Sequence, residues 1–392
     1  MEFAISTATP AERQRRAGAA TDDGVRRHLC RRVRSFDEVT TEKNGPGSRV
    51  SPAPPFLTSL TRANRGESRG FLTFTSRAPA APWASPPDQR VTHFDRVEWL
   101  TLDTFSAMAA LHAGEIDWWE LPPSDLLEQL ARDRDLTVIS QYATAMGLLR
   151  FNHLHPPFDN VAARQALLGA VDQVEAMTAV AGTDRTFWHD GIGLFGAGTP
   201  LANDTGIDIL RGPREHAAVR RALARAGYNG ETIVALAPTD VQPIRALSLA
   251  GAEQLRRAGV SVDLQEVTLG TEIIRWQSQA APNKGGWNVF FILMDRSRPN
   301  TNPYGNPWIR ADGLAAFPGW PTSPRIEALR AAWLDAGSLD EQRRICTELQ
   351  MQLWQDVPYI PMGEYWQSTA YRKDLLDVMP GCFAVFYGVR RT

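Results

Sequence analysis

Between Pro213 and Met294, helix-like and strand-like segments follow one another without a break, and this alternation constrains the fold more than any other feature of the chain. The spacing predicts helices over Pro213–Ala226, Gln242–Ala258 and Thr271–Gln279, interleaved with strands over Thr232–Ala237, Val260–Val267 and Trp287–Met294. Gly227 and Gly259 stand just past the first two helices, where a left-handed residue is needed to close the last turn. Strands separated by helices of this length imply right-handed crossovers and a mainly parallel sheet, so the expected fold class is α/β. Ligands on such a sheet collect outside the carboxyl ends of its strands. Here those ends are Pro238-Thr239-Asp240, Thr268-Leu269-Gly270 and Asp295-Arg296-Ser297.

The flanking regions carry weaker patterns. Upstream, VTHFDRVEWL reads as a strand, Asp103 or Thr104 opens a helix ended by Gly114, and Ile116–Trp119 is a short strand. Ser124 caps a second helix, Leu136–Ser140 and Met146–Phe151 read as two strands, and Asp159 or Asn160 caps a helix over Val161–Val171. Downstream, Ser323 precedes a helix with Ile326, Leu329, Ala332 and Trp333 on one face. Ser338 and Glu341 form a capping box before Ile345, Leu349 and Leu353. Val357–Pro361 and Phe383–Val389 close the chain as strand-like segments.

Residues 1–90 differ from all of this. They are rich in Arg, Pro, Ser and Gly, lack sustained periodicity, and read as a disordered or mistranslated leader that packs no core. Arg13, Arg15 and Arg16 are not followed by the apolar run of roughly 7–15 residues that a secretory signal needs. They also hide a charge asymmetry: they hold 15 basic against 9 acidic side chains, leaving 27 against 35 in the remainder. An acidic body excludes nucleic acid as the expected partner, because phosphate binding draws on clustered Lys and Arg. No uncharged apolar stretch reaches the roughly 18–20 residues that span a bilayer. Cys30, Cys346 and Cys382 form no metal-ligand spacing. Cys346 and Cys382 are the pair a disulfide would join, and sequence alone does not supply the geometry.

Gly191-Ile192-Gly193-Leu194-Phe195-Gly196 matches the dinucleotide fingerprint letter for letter, yet Trp188-His189-Asp190 precedes it and Pro200 closes it. The fingerprint works only where a strand enters and a helix opens, so that pyrophosphate meets a helix N-terminus, and no cofactor is expected here. Acid/base chemistry would draw on Glu115/Asp117 or His153/His155, each pair spaced as same-face strand residues. Asp117 among Ile116, Trp118 and Trp119 reads as a strand-end carboxylate held by a backbone amide or an arginine, and His155 before Pro156-Pro157 as a turn residue. A hydrolase using Asp117 or Asp295 is the rival reading. Trp287, Trp308 and Trp320 flank a loop rich in Gly, Pro and Asn that leaves a strand's carboxyl end, a position where polar and aromatic loops serve function. The candidate ligand-binding residues are therefore Trp287, Asp295, Tyr304, Asn306 and Trp320, with Thr239 and Asp240 at the neighbouring strand end.

Two segments, GEIDWWELPPSDLLEQL and LLRFNHLHPPFDNVAARQALLGAVDQ, carry a resemblance. With Phe151-Asn152, Pro157-Phe158-Asp159 and Arg164-Gln165-Ala166, the second resembles the signature of the family 5 extracellular solute-binding proteins, the peptide- and nickel-binding components of ABC importers. GGWNVFFI, RIEALRAAWLDA and VPYIPMGEY are similar to the same family in its expected order. The resemblance covers residues from about 90 to 392 and implies a two-lobed, type II periplasmic-binding-protein-like fold, N-terminally incomplete. It places residues 91–190 and about 357–392 in the first lobe and 191–356 in the second. It further implies a monomer without catalysis or cofactor that binds a peptide or similar small solute between lobes and delivers it to importer membrane subunits. By resemblance the location is periplasmic, and an Asp after the GW-type strand, here Asp295, pairs with the peptide amino group. A frameshifted or wrongly started gene, giving a product without binding activity, is the alternative that would explain residues 1–90.

Overall fold

The structure is a computed structural model that describes residues 2–6, 71–75, 93–94, 96–295, 302–379 and 384–392. In chain order the elements are β1 (Glu2–Ser6), β2 (Phe71–Thr75), β3 (Arg96–Leu102), α1 (Thr104–His112), β4 (Trp118–Trp119), α2 (Leu127–Ala131) and β5 (Leu136–Phe151). Then come α3 (Val161–Leu168), α4 (Gln173–Ala181), β6 (Trp188–His189), α5 (His216–Arg225), β7 (Ile233–Pro238), α6 (Gln242–Arg257), β8 (Val262–Val267), α7 (Leu269–Trp276) and β9 (Val289–Asp295). The chain ends with α8 (Pro324–Asp335), α9 (Leu339–Asp356), β10 (Tyr359–Arg372), β11 (Leu375–Leu376) and β12 (Arg390–Arg391).

One mixed sheet runs through the molecule in the order β2-β3-β1-β4-β10-β5-β9-β7-β8, with β6 also pairing β10. Only β7 is parallel to its neighbours β8 and β9; the other pairings of this sheet are antiparallel. The expectation of a mainly parallel sheet therefore holds for the β7–β9 unit alone, where α6 and α7 carry the chain back so that β7 runs parallel to both its neighbours. Helix ends in this unit follow their signals. Gly227 and Gly259 take positive φ of 90° and 93° directly after the helix C-caps, and Pro243 occupies the first turn of α6. The Ser338 hydroxyl accepts from the Glu341 amide at 3.2 Å, while the Glu341 carboxylate reaches back to the Gly337 amide at 3.1 Å, one residue short of the reciprocal cap.

The apolar side chains form one large cluster and two small ones. The large cluster contains Met146–Phe151 of β5, strands β7 and β9, helices α3 to α6, and Tyr359–Met362 of β10. Its layers are close-packed: α6 lies over β9 at Gly251, where a Cβ would overlap the Phe291 ring, so only glycine lets helix and strand approach this closely. The small clusters lie on opposite faces of the other end of the sheet. Trp119 packs with Leu111, Leu130, Leu136 and Ala370, while Trp118 packs with Ile5, Val97, Tyr142 and Tyr371. Adjacent strand residues point to opposite faces, which is how two neighbouring tryptophans, both fully buried, serve two cores.

Two expectations are corrected here. Residues 1–90 were expected to pack no core, yet Glu2–Ser6 fills the slot between β3 and β4, pairing with both, and Ile5 is fully buried. Phe71–Thr75 adds a strand outside β3. The hydrophobic alternation of five residues is too short to stand out from an irregular surrounding sequence, and its partners are about a hundred residues away. The division at residue 190 also shifts: residues 146–190 belong to the large cluster, and the cores part instead near Ala145 on β5 and Glu364–Gln367 on β10. What read as two strands, Leu136–Ser140 and Met146–Phe151, is one strand of 16 residues passing from one core to the other.

Candidate functional site

β5 and β10 cross between the cores side by side, and the side chains where they cross form the candidate site. Tyr365 pairs with Ala145, Trp366 with Thr144 and Gln367 with Ala143. Tyr365, Trp366 and Gln367 remain partly exposed although the strand around them is buried. β10 is irregular on both sides of this stretch, with register shifts between Pro361 and Glu364 and between Gln367 and Thr369. Such bulges bend a strand and re-aim its side chains. The same rungs carry two further elements. β6 pairs with Glu364 and Tyr365, setting the exposed His189 ring 6.2 Å from Trp366, and the Arg185 guanidinium covers Trp188 at 4.2 Å. On the other side of β5, the last residue of β9, Asp295, pairs with Ala145. Glu364 is buried one rung away, opposite Met146 and His189.

The sequence-predicted residues do not all converge on this point. Trp287 stands at the opposite end of β9 from Asp295, about 26 Å away at the rise of an extended chain. It is fully buried, with its ring 5.0 Å from Phe290 and 5.9 Å from Trp320. Trp320 is likewise buried, at φ 50°. Trp287 and Trp320 are thus buried within the large cluster, where the described residues 317–320 lie against Arg150 and His153. Buried Asn306 uses its side-chain oxygen to accept from the Trp308 amide at 2.9 Å. Tyr304 is exposed and lies 5.5 Å over Arg330, whose guanidinium donates to the Pro303 and Tyr304 carbonyls. Thr239 donates its amide and its hydroxyl to the Val267 carbonyl, and Asp240 accepts from the Leu269 amide at 2.8 Å. These two tie the carboxyl ends of β7 and β8 together. Arg296, Ser297 and the following residues up to 301 lie outside the described residues, as does Cys382; Cys346 is a buried free thiol whose pKa burial pushes up to about 12.

Beside Asp240 is a group the sequence did not reveal. Glu272, in the first turn of α7, is completely buried, and burial pushes its carboxyl pKa up to about 7. The Trp276 indole, donating at 3.2 Å, opposes the rise; the Asp240 charge adds to it and Arg275 opposes it. A glutamate in the first turn of an amphipathic helix ordinarily faces water, so spacing alone carries no signal here.

Other candidate motifs resolve as scaffold. In the glycine-rich segment no helix opens: the Ile192 amide donates to Gln173 and the Leu194 amide to Gln350, and a Cβ on Gly193 would strike the Gln350 amide. The amides a pyrophosphate would need are occupied. Asp117, fully buried, pairs with Arg391 at 2.6 Å, the arginine partner expected of a strand-end carboxylate. His155 donates from its Nε2 to the Gln279 carbonyl at 2.9 Å, as a turn residue would. His153 is partly exposed, and desolvation of its ring together with the nearby Arg164 and Arg150 charges holds its pKa well below the ordinary range. Among the described residues no group of three or more metal-ligating side chains converges, and no helix is long and apolar enough to cross a membrane.

An α/β molecule whose two halves share a mixed sheet and are joined by a pair of long strands has the architecture of a type II binding protein. Residues 82–313 match the middle region of the bacterial extracellular solute-binding proteins, family 5, and the chain belongs to this family. A probable peptide ABC transporter periplasmic-binding protein, y4tO, of Sinorhizobium fredii is 30% identical over 346 residues, covering 86% of this chain and 64% of the relative. That coverage exceeds what residues 91–392 can supply, so the similarity reaches into the first ninety residues. Two solved structures share the fold. The dipeptide-binding protein of Pseudoalteromonas sp. SM9913, in complex with Met-Leu, is 19% identical with a TM-score of 0.64, over 82% of this chain and 62% of that one. DppA of Helicobacter pylori, in complex with the peptide STSA, is 17% identical with a TM-score of 0.65, over 82% and 60%. The chain spans less than two thirds of the length of these relatives.

Proposed function

We propose that the chain binds a short peptide or a similar small solute between its two cores and presents it to the membrane subunits of an ABC-type importer, without chemistry of its own. The observation that carries this reading is the crossover: Tyr365, Trp366 and Gln367 stay partly exposed where β5 and β10 leave one core for the other. Aromatic faces beside an amide suit a backbone-rich ligand, which offers apolar area and many hydrogen-bonding groups together. Asp295, on the rung of Ala145 and Tyr365, is the carboxylate this reading assigns to the ammonium end of that ligand. The names of the relatives support the same reading, since those reported above are peptide- or dipeptide-binding proteins. They also support a periplasmic or extracellular place of action, action as a monomer is part of the proposal, and Asp117 is engaged with Arg391 rather than placed as a hydrolase acid.

The test is calorimetry with a series of di- to penta-alanine peptides and their N-acetylated counterparts. Asp295→Asn is expected to weaken binding of the free-amine peptides by roughly 2–5 kcal/mol, the cost of breaking a charge pair inside a cleft, and to leave the acetylated ones nearly unchanged. Equal losses for both series would remove the ammonium contact from Asp295. Absence of binding by every peptide to the unaltered chain would overturn the proposal.

A further inference from the structure

Helix α7 is attached to the molecule through very little. Of its eight residues only Glu272 and Trp276 are fully buried, one turn apart on the same face, while Ile273 and Ile274 face water at 43% and 75% exposure. Trp276 stacks on Phe290 of β9 with ring centroids 4.5 Å apart. That contact secures the end of the helix far from the site. Its start, at the carboxyl edge of the sheet, is held by Thr268, whose hydroxyl accepts from the Thr271 amide at 3.3 Å, by Asp240, and by Glu272.

Glu272 is a fastening that works in one protonation state. One carboxyl oxygen accepts from the Trp276 indole, and the other is buried without a hydrogen-bond partner among the described residues. A neutral carboxyl tolerates this position. An ionised one does not, because a buried anion needs donors or a cation and across the interface the Asp240 carboxylate acts against it. On its own helix Arg275 acts favourably, but its guanidinium also donates to the Gly286 carbonyl at 3.1 Å. From α6 and β8, Arg245 and Glu266 pair with each other at 2.8 Å.

We propose that Glu272 is a proton-operated latch: neutral, it seals the start of α7 against the sheet edge; ionised, it is repelled by Asp240 and releases that edge together with the Thr239–Asp240 turn. This edge is the one at which β9 delivers Asp295 to the crossover, so the latch tunes the proposed ligand site and in that respect rests on the peptide-binding reading. Protonation in the fold persists to a pH at which an exposed glutamate is already ionised, so the seal is strongest in acid, weakens as pH rises toward the folded pKa of about 7, and is fully lost above it. No step other than loss of one proton to solvent is involved.

The experiment is amide hydrogen exchange across 269–276 on the full chain between pH 5.5 and 8.5, corrected for intrinsic rates, combined with calorimetry of the alanine peptides at both ends of that range. Protection in the unaltered protein should fall by up to about tenfold per pH unit from pH 5.5 toward neutrality and level off once the folded carboxyl has ionised. Glu272→Gln, a neutral isostere that still accepts from Trp276, should stay protected throughout, and Asp240→Asn, which removes a charge that raises the Glu272 pKa, should shrink the loss and level it off at lower pH. Peptide affinity should weaken several-fold at pH 8.5 in the unaltered protein and hold steady in Glu272→Gln. Equal loss of protection in Glu272→Gln, or none in the unaltered chain, overturns the latch. Protection that changes while affinity does not overturns its coupling to the ligand site. If no peptide binds at either pH, the ligand-site reading falls along with the coupling, while exchange still decides the latch itself.

Discussion

The large core and the paired small cores solve the same problem in different ways. In the large core, β7, α6, β8, α7 and β9 follow one another in sequence, and each helix covers the strands beside it. In the small cores, Ile5, Val97, Trp118, Tyr371 and Val389 come from five separated parts of the chain. The polar interiors differ as well. The large core buries Arg150 without a carboxylate, its guanidinium donating to the carbonyls of Trp308, Phe317, Pro318 and Pro358. The small-core side instead buries a carboxylate, Asp117, and reaches out to Arg391 near the chain's end. A locally built core can use an isolated cation to pin a loop, whereas a core assembled from distant segments uses an ion pair to fasten the last of them.

That contrast is sharpest at Arg150. Burial lowers its pKa to about 9, yet it remains charged at neutral pH and satisfies four backbone acceptors at once. Arg150→Met keeps the volume and strands those carbonyls, so a loss of about 4 kcal/mol or more is expected in denaturant unfolding, with protease sensitivity appearing first between residues 303 and 320. A loss below about 1 kcal/mol would show that the loop is held by its aromatic packing instead. The opposite core is probed by Asp117→Asn. Removing one member of a buried pair costs about 3 kcal/mol, somewhat moderated here because Arg391 keeps Asp374 as a second partner. If the shared strands β5 and β10 couple the cores, both variants should unfold in a single transition; two separated transitions would break the account of one continuous sheet. Ile5→Ala has the smallest expected effect on stability, about 2 kcal/mol from lost burial and the cavity left behind. Its full cost should appear in the small-core side, read from the near-ultraviolet signal of Trp118, and no cost at all would remove β1 from the sheet.

How much of this was legible in the sequence follows the same division. The β7–β9 unit was readable because helical and strand periods alternate within about eighty residues and the ends carry Gly227, Gly259 and Pro243. β1 was not, since five residues of alternation gain meaning only beside β3 and β4. The strand β10 was read as far as Pro361 and then lost, because bulges on either side of Glu364–Gln367 break the two-residue period just where the side chains turn outward. The candidate site was legible in part. The strand ends that carry Asp240 and Asp295 were legible, because they are fixed by local pattern, and Asp240 there accepts from the Leu269 amide. Trp287 and Trp320 were assigned to the ligand because aromatic residues in a polar loop resemble a cleft lining, whereas both are buried in the large cluster. Glu272 left no trace, since its burial depends on where α7 lands rather than on its own neighbours.

The central claim is that ligand meets the chain where the two strands cross, and Trp366 and Trp320 separate that claim from its nearest competitor. Trp366 is partly exposed at the crossover, and Trp320 is buried in the large core. Calorimetry of trialanine binding to Trp366→Ala should show at least a tenfold loss of affinity with the unfolding midpoint unchanged, as expected when a ring that contacts ligand is removed from a surface. Full affinity in Trp366→Ala would contradict the account and return the site to the loop after β9.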